Sequence, residues 1–352
     1  MKISPTSLKW AEKKAVFCLM GLSSKIPILV ITGPTSSGKT RLSIDIAKKI
    51  DSEIINIDSM QLYKYMDIGT AKITQKEMQD VPHHLFSIVE PTDNFSAMQY
   101  TKLAHEKISN IFNRNKLPIL VGGTCLYIDL VVNNIKLIEV NQTDSAEYRK
   151  YLYQLADNYG LEHLTNLLIQ KDKLGSLEID KSNIRRVVRA LELIQFTKLS
   201  LSEIKNNSLG PEIYYPIYFA VDFDRNMLYQ RINSRVDSML QGGLLEEVKK
   251  LKNMGVNKNN TAYYGIGYKE LFEFLDNNNE IDRTLDKSVI DLMKKNTRHY
   301  AKRQLTWFKK NKKINWVDFE YLTVKRCKTI DKILNFLRNQ KYGAYTSRHM
   351  NL

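Results

Sequence analysis

Ile26-Pro27-Ile28-Leu29-Val30-Ile31-Thr32-Gly33-Pro34-Thr35-Ser36-Ser37-Gly38-Lys39-Thr40 is the stretch on which the fold turns. Up to Thr32 it is apolar and β-branched, suited to a parallel strand buried on both faces. From Gly33 it reads G-x-x-x-x-G-K-S/T, the pattern of a loop that cradles phosphate. Leu42, Ile44, Ile46, Ala47 and Ile50, spaced among Lys and Asp, continue the chain as a helix. Strand, glycine loop and helix together are the context that this pattern needs. Glycine lets the backbone wrap closely, so that successive N–H groups and the helix N-terminus point at negative charge. Lys39 adds a point charge, and the Thr40 hydroxyl is placed to ligate a Mg²⁺ that bridges phosphates. A phosphorylated ligand is therefore expected among Gly33, Pro34, Thr35, Ser36, Ser37, Gly38, Lys39 and Thr40.

Outward from this loop, Glu53 to Ser59 reads as a second strand ending in Asp58 and Ser59. Strand C-termini of a parallel sheet open on one crevice, so the Asp58 carboxylate should face the loop. Lys116 to Thr124 is a third strand running into Gly122-Gly123, with Leu126, Tyr127 and Leu130 opening a helix. Tyr214 to Phe223 and Ile314 to Val317 return to the strand pattern. Strands alternating with helices predict an α/β core of the P-loop type, its parallel sheet flanked by helices, over 25–140 and 207–345. From 141 to 206 the pattern is helical only, through Tyr148, Leu152, Leu155, Leu161, Leu164, Leu168, Ile184, Val187, Val188 and Leu191. An all-helical insertion domain is expected there, with Arg185, Arg186 and Arg189 on the polar side of its apolar helix. Residues 1–24 carry no motif and read as an N-terminal extension. Their lysines and the short patch Ala15–Leu22 faintly resemble a targeting peptide, and Met20 offers a second start.

The 352 residues hold 53 Lys and Arg against 38 Asp and Glu, a balance of +15 that favours an anionic partner, nucleic acid foremost. A composition heavy in lysine, isoleucine and asparagine also follows from the base composition of a genome. Leu285 to Lys310 carries Lys294, Arg298 and Lys302 on one face, with Lys295, His299 and Arg303 beside them. Tyr300, Trp307 and Phe308 are interleaved, a mixture suited to an RNA backbone with stacked bases. No run of eighteen apolar residues occurs, so no membrane-spanning helix is expected. Cys18, Cys125 and Cys327 are far apart and suit a reducing cytosol, and the histidines show no zinc spacing. A GTPase should carry N-K-x-D, and neither Asn115-Lys116 nor Asn257-Lys258 continues that way. The residues alone leave open a P-loop kinase of nucleotides or small metabolites, with Arg185, Arg186 and Arg189 as its lid. An RNA-binding module with a nucleotide switch stays open as well.

Further motifs narrow the choice. Asp58-Ser59-Met60-Gln61-Leu62-Tyr63, Asp67 to Lys72, Val121 to Tyr127, Ile266-Gly267-Tyr268-Lys269-Glu270 and Tyr300 to Trp307 stand in that order. With Pro82-His83-His84-Leu85 and Arg231-Ile232…Arg235-Val236, they make the chain resemble the bacterial tRNA dimethylallyltransferases from about residue 26 to about 320. It departs at Ile73, where that family usually has proline, at Ser87, where aspartate is usual, at Cys125, and at Tyr264, where a polar or cationic residue is common.

The resemblance implies transfer of a dimethylallyl group from dimethylallyl diphosphate to N6 of adenosine 37, beside the anticodon, with release of diphosphate. It places the diphosphate and Mg²⁺ in the Gly33–Thr40 cradle, with Thr35, Lys39 and Thr40 among the ligands. The amine must shed a proton, which gives Asp58 the part of general base. By the same resemblance Asp58, Ser59, Met60, Gln61, Thr124, Arg149, Arg185, Arg186, Val187, Val188 and Arg189 contact tRNA. A cytoplasmic monomer is expected.

Overall fold

The computed structural model describes residues 25–138, 140, 142–277, 285–318 and 326–337, so the expected N-terminal extension lies outside the described residues. These include the strands β1 (Ile26–Thr32), β2 (Ile54–Ile57), β3 (His83–His84), β4 (Ile119–Gly122), β5 (Tyr214–Asp222) and β6 (Ile314–Asp318). They pair in parallel as one sheet in the order β3-β2-β4-β1-β5-β6. β1 is central, with β4 on one side and β5 on the other, so its C-terminus opens at the middle of the sheet edge. That edge is where open α/β sheets bind ligands.

Helices α1 (Lys39–Lys49), α2 (Gln75–Met78), α3 (Ala97–Asn113) and α4 (Cys125–Val132) accompany the first strands. Side chains of a strand alternate between faces, and β1 feeds a separate core on each. Ile28 and Val30 join Tyr100, Ala104 and Ile108 of α3, while Leu29 and Ile31 join Leu42 and Ile46 of α1. All of these residues are buried, each stabilising the fold by about 1.5–3 kcal/mol for a large aliphatic side chain. β3 was not expected: two residues are too few to show alternation, and it forms only by pairing Ile54 with His83 and Ile55 with His84.

The chain divides into two compact units, and the second, Asn133–Pro211, is helical. It contains α5 (Gln142–Lys171), which breaks at Gly160 (φ 81°), α6 (Ile184–Thr197) and α7 (Leu201–Ser208). Leu152, Leu164, Leu168, Val187, Val188 and Leu191 form its core. The unit is wider than the 141–206 read from periodicity because its ends clasp each other. Ile135 bridges Leu209 in antiparallel fashion, Lys136 N–H donates to Ser208 O (2.8 Å), and Gly210 N–H donates to Asn134 O (3.2 Å). A bridge that short has no hydrophobic period to reveal it.

The first unit resumes with β5 and then α8 (Arg225–Gln241), α9 (Leu244–Asn253), α10 (Tyr268–Asn277), α11 (Lys287–Lys310) and α12 (Arg326–Leu337). Ile333 and Leu337 of α12 join the α1 core. Among the described residues no helix is long and apolar enough to cross a membrane.

Candidate active site

The loop from β1 into α1 has the geometry its glycines imply. Gly33 lies at φ 136° and Gly38 at φ 83°, conformations that side chains with a Cβ rarely adopt. Gly38 is also the N-cap of α1 and provides no side-chain cap, so the first-turn N–H groups stay available to an anion. Ser36 bends backward at φ 64°, and its buried hydroxyl has no hydrogen-bond partner among the described residues. The Lys39 ammonium folds over the loop and donates to Pro34 O at 2.7 Å. Burial, and then the charge of Arg235, pull Lys39 down to about 7, while Asp58 and Cys125 oppose them.

Arg231 and Arg235 come from α8, whose start is fixed by Asp224 accepting from Asn226 N–H (2.9 Å) and Met227 N–H (3.0 Å). Spaced i, i+4, the two arginines share one helix face. Arg231 Nε donates to Ser36 O at 3.0 Å, and Arg235 donates to Thr70 O at 3.3 Å. A cleft of about 620 Å³ lies between Ser36–Thr40 and the Gln230–Ser238 face of α8. A second lobe of about 240 Å³ shares Ser36, Lys39, Thr40 and Arg235 with it and reaches Thr35, Asp58, Gln61, Tyr300 and Gln304.

Asp58 is held at the end of β2 by its own turn. Its N–H donates to Asn56 Oδ1 (2.9 Å), and its Oδ1 accepts from Met60 N–H (3.0 Å). Ser59 N–H donates to Thr124 Oγ1 at 3.1 Å, tying the β2 and β4 ends together. Tyr300 faces the same lobe, and burial keeps its phenol protonated. Gln304 is buried and joins two loops, accepting from Thr35 N–H (2.9 Å) and donating to Gly123 O (2.8 Å). Burial pushes the Cys125 thiol up to about 12, which removes it as a neutral-pH nucleophile.

Gly33–Thr40, Asp58 and Gln61 thus converge with four residues that local reading of the sequence did not single out as site residues: Arg231, Arg235, Tyr300 and Gln304. Met60 packs half-buried against the core, and Ser59 and Thr124 brace the strand ends. Tyr264 lies off the lining of both lobes, its hydroxyl donating to Lys258 O at 2.9 Å. Ser87 accepts from Lys72 at 2.9 Å.

In the helical unit Arg149, Arg185, Arg186 and Arg189 are exposed. Val187 and Val188 are not contact residues: they are 0% and 1% exposed, because a helix that turns its arginines outward turns the residues between them into the core. Glu192 is fully buried beneath the arginines, with Arg189 at 2.9 Å and Arg149 at 3.5 Å. The cationic face read along α11 also divides. Lys294 pairs with Asp237 (2.6 Å), and Arg298 donates to Asn233 (2.7 Å), so α8 takes up both. Lys295, His299, Lys302 and Arg303 remain exposed.

A parallel sheet whose central strand runs through a glycine loop into a bare helix start, with Lys39, Arg231 and Arg235 converging on it, defines an α/β protein with a cationic cleft at the edge of its sheet. Residues 61–311 match the IPP transferase family, and the chain belongs to that family. It is 45% identical over 295 residues to a tRNA dimethylallyltransferase of Thermoanaerobacter sp. (strain X514), covering 83% of this chain and 91% of that protein. It is similar to the crystal structure of the tRNA isopentenylpyrophosphate transferase of Bacillus halodurans, with 38% identity, a TM-score of 0.66, and coverage of 92% of this chain and 98% of that one. A eukaryotic dimethylallyltransferase acting on tRNA matches with a TM-score of 0.72 and 28% identity, covering 90% of this chain and 80% of its own.

Proposed function

We propose that this chain is a tRNA dimethylallyltransferase that moves the dimethylallyl group of dimethylallyl diphosphate to N6 of adenosine 37 and releases diphosphate. The observation that carries the reading is the shared cleft, in which Asp58 and the loop residues Thr35, Ser36, Lys39 and Thr40 line one cavity. N6 attacks the allylic C1, the C1–O bond breaks, and the N6 proton passes to Asp58. Charge would develop on the departing diphosphate, and the α1 N-terminus, Lys39, Arg231 and Arg235, which line or border the cleft, would stabilise it. Such preorganised stabilisation is commonly the largest catalytic effect. Family membership supports transfer from a prenyl donor rather than the kinase alternative.

Mg²⁺ takes few protein ligands beside phosphate oxygens and water. The Thr40 hydroxyl, which lines both lobes of the cleft, suits that demand. Bound there, the ion would neutralise diphosphate charge. On the RNA side, adenosine must leave its stack, which costs a few kcal/mol and least in a loop. Asp58 to Gln61 and Thr124 would receive it, and Arg149, Arg185, Arg186 and Arg189 would hold tRNA phosphates. A cytoplasmic monomer accords with this chemistry.

Incubation with radiolabelled ATP or dimethylallyl-labelled dimethylallyl diphosphate, each with and without tRNA, tests the proposal. Label from the prenyl donor should enter tRNA, and ATP should persist. ATP consumed without tRNA, and no prenyl label in tRNA, would favour the kinase.

A further inference from the structure

Glu247 lies on α9, outside both lobes of the cleft, yet its carboxylate accepts four hydrogen bonds. Three come from successive backbone N–H groups, of Asp67 (3.0 Å), Ile68 (2.8 Å) and Gly69 (3.1 Å), and the fourth from the Tyr268 hydroxyl (2.6 Å). Consecutive N–H groups turned toward one point make an anion nest, and this nest is filled by the protein's own carboxylate. Gly69 makes the approach possible, since a Cβ there would stand 2.5 Å from the buried Tyr268 ring.

The clamped loop leads directly into the cleft. The next residue, Thr70, offers its carbonyl to Arg235 at 3.3 Å and to Gln61 Nε2 at 3.1 Å. Arg235 lines both lobes, close enough to Lys39 to depress its proton affinity. A displaced Thr70 carbonyl would release the guanidinium from its place over the cradle.

We propose that Glu247 is a positioning residue: it clamps the 67–69 backbone so that the Thr70 carbonyl holds Arg235 at the phosphate cradle. The proposal deepens the reading of this cleft as a diphosphate site and rests on it. Glu247 touches no reacting atom and acts through Arg235. Glutamine in its place keeps one acceptor oxygen but turns an amide N–H toward backbone donors.

Calorimetric titration of inorganic diphosphate with Mg²⁺ into the full chain, Glu247→Gln, Arg235→Ala and the double variant tests it. Hydrogen bonds to a charged group of this kind are strong enough that Glu247→Gln should raise Kd about tenfold. In the Arg235→Ala background the same change should move Kd by less than about twofold, because the residue it acts through is gone. Amide exchange at 67–69 should accelerate in Glu247→Gln. If that variant fails to fold, Tyr268→Phe removes only the hydroxyl and should raise Kd about twofold to threefold. Wild-type affinity in folded Glu247→Gln, or losses that simply add in the double variant, would overturn the clamp. Wild-type protein that binds diphosphate but transfers nothing to tRNA would instead overturn the functional reading and leave the clamp standing.

Discussion

Thr35 and Gln304 meet at the cleft, the Thr35 N–H donating to Gln304 Oε1 at 2.9 Å, although 269 positions separate them in sequence. The same amide donates to Gly123 O, so one buried side chain couples the phosphate loop to the end of β4. Replacing Gln304 with leucine leaves a backbone donor and a carbonyl without this partner. Stability should fall by about 1–3 kcal/mol, and affinity for dimethylallyl diphosphate should fall with it. Denaturant unfolding and equilibrium binding measure the two. Unchanged affinity would show that Gln304 only fills space.

Asp58→Asn keeps shape and much of the turn's hydrogen bonding but cannot take the N6 proton. Single-turnover transfer with both substrates saturating should drop about 10²–10⁴-fold, the usual worth of general base catalysis. Binding of dimethylallyl diphosphate should survive, since the cradle proposed for it is Gly33–Thr40. Near wild-type chemistry would remove Asp58 as the base.

Diphosphate binding should take up a proton. In the free protein Lys39 is held down to about 7 by burial and by Arg235. A bound anion favours the ammonium and raises that value. Affinity should therefore be greatest below about pH 7 and decline as pH rises toward the ordinary range of lysine, beyond the trend due to diphosphate's own ionisation. Calorimetry in buffers of different ionisation enthalpy reads the proton directly, and Lys39→Gln should abolish the extra uptake.

The exposed arginines of the helical unit should behave differently from one another. Removing a phosphate contact flattens the slope of log K against log[salt] by roughly 0.7–1, which is expected for Arg186→Ala and Arg189→Ala with tRNA. Arg189→Ala also strips buried Glu192 of its nearer partner, at 2.9 Å. It should cost about 1–2 kcal/mol of stability, discounted because the arginine is half exposed. Arg186, paired with Asp180 at 3.8 Å on the surface, should cost almost none. Salt-titrated tRNA binding and thermal unfolding separate the two effects.

What the sequence displayed was whatever local chemistry determines. β1, β2 and β4 are rich in β-branched residues, β5 mixes them with aromatics, and the glycine loop has a fixed spacing, so the sheet centre and the loop were legible. Arg231 and Arg235 flank the apolar stripe of Leu228, Ile232 and Val236, and arginines at the edge of such a stripe read as solvated charge. Their i, i+4 spacing on the helix after β5 and their place in the Arg231-Ile232…Arg235-Val236 motif were the available signals. Gln304 carries no local signature, since its role exists only once α11 lies across two loops. Val187 and Val188 belong to the Arg185–Arg189 run only by the family resemblance, and helical periodicity already sets them on the side opposite the arginines.

Mass spectrometry of nucleosides from unmodified tRNA, before and after exposure to the protein with dimethylallyl diphosphate and Mg²⁺, tests the central claim most directly. N6-dimethylallyladenosine should appear at position 37, with one diphosphate released for each group transferred. Persistence of unmodified adenosine 37 with folded protein and intact donor would contradict it.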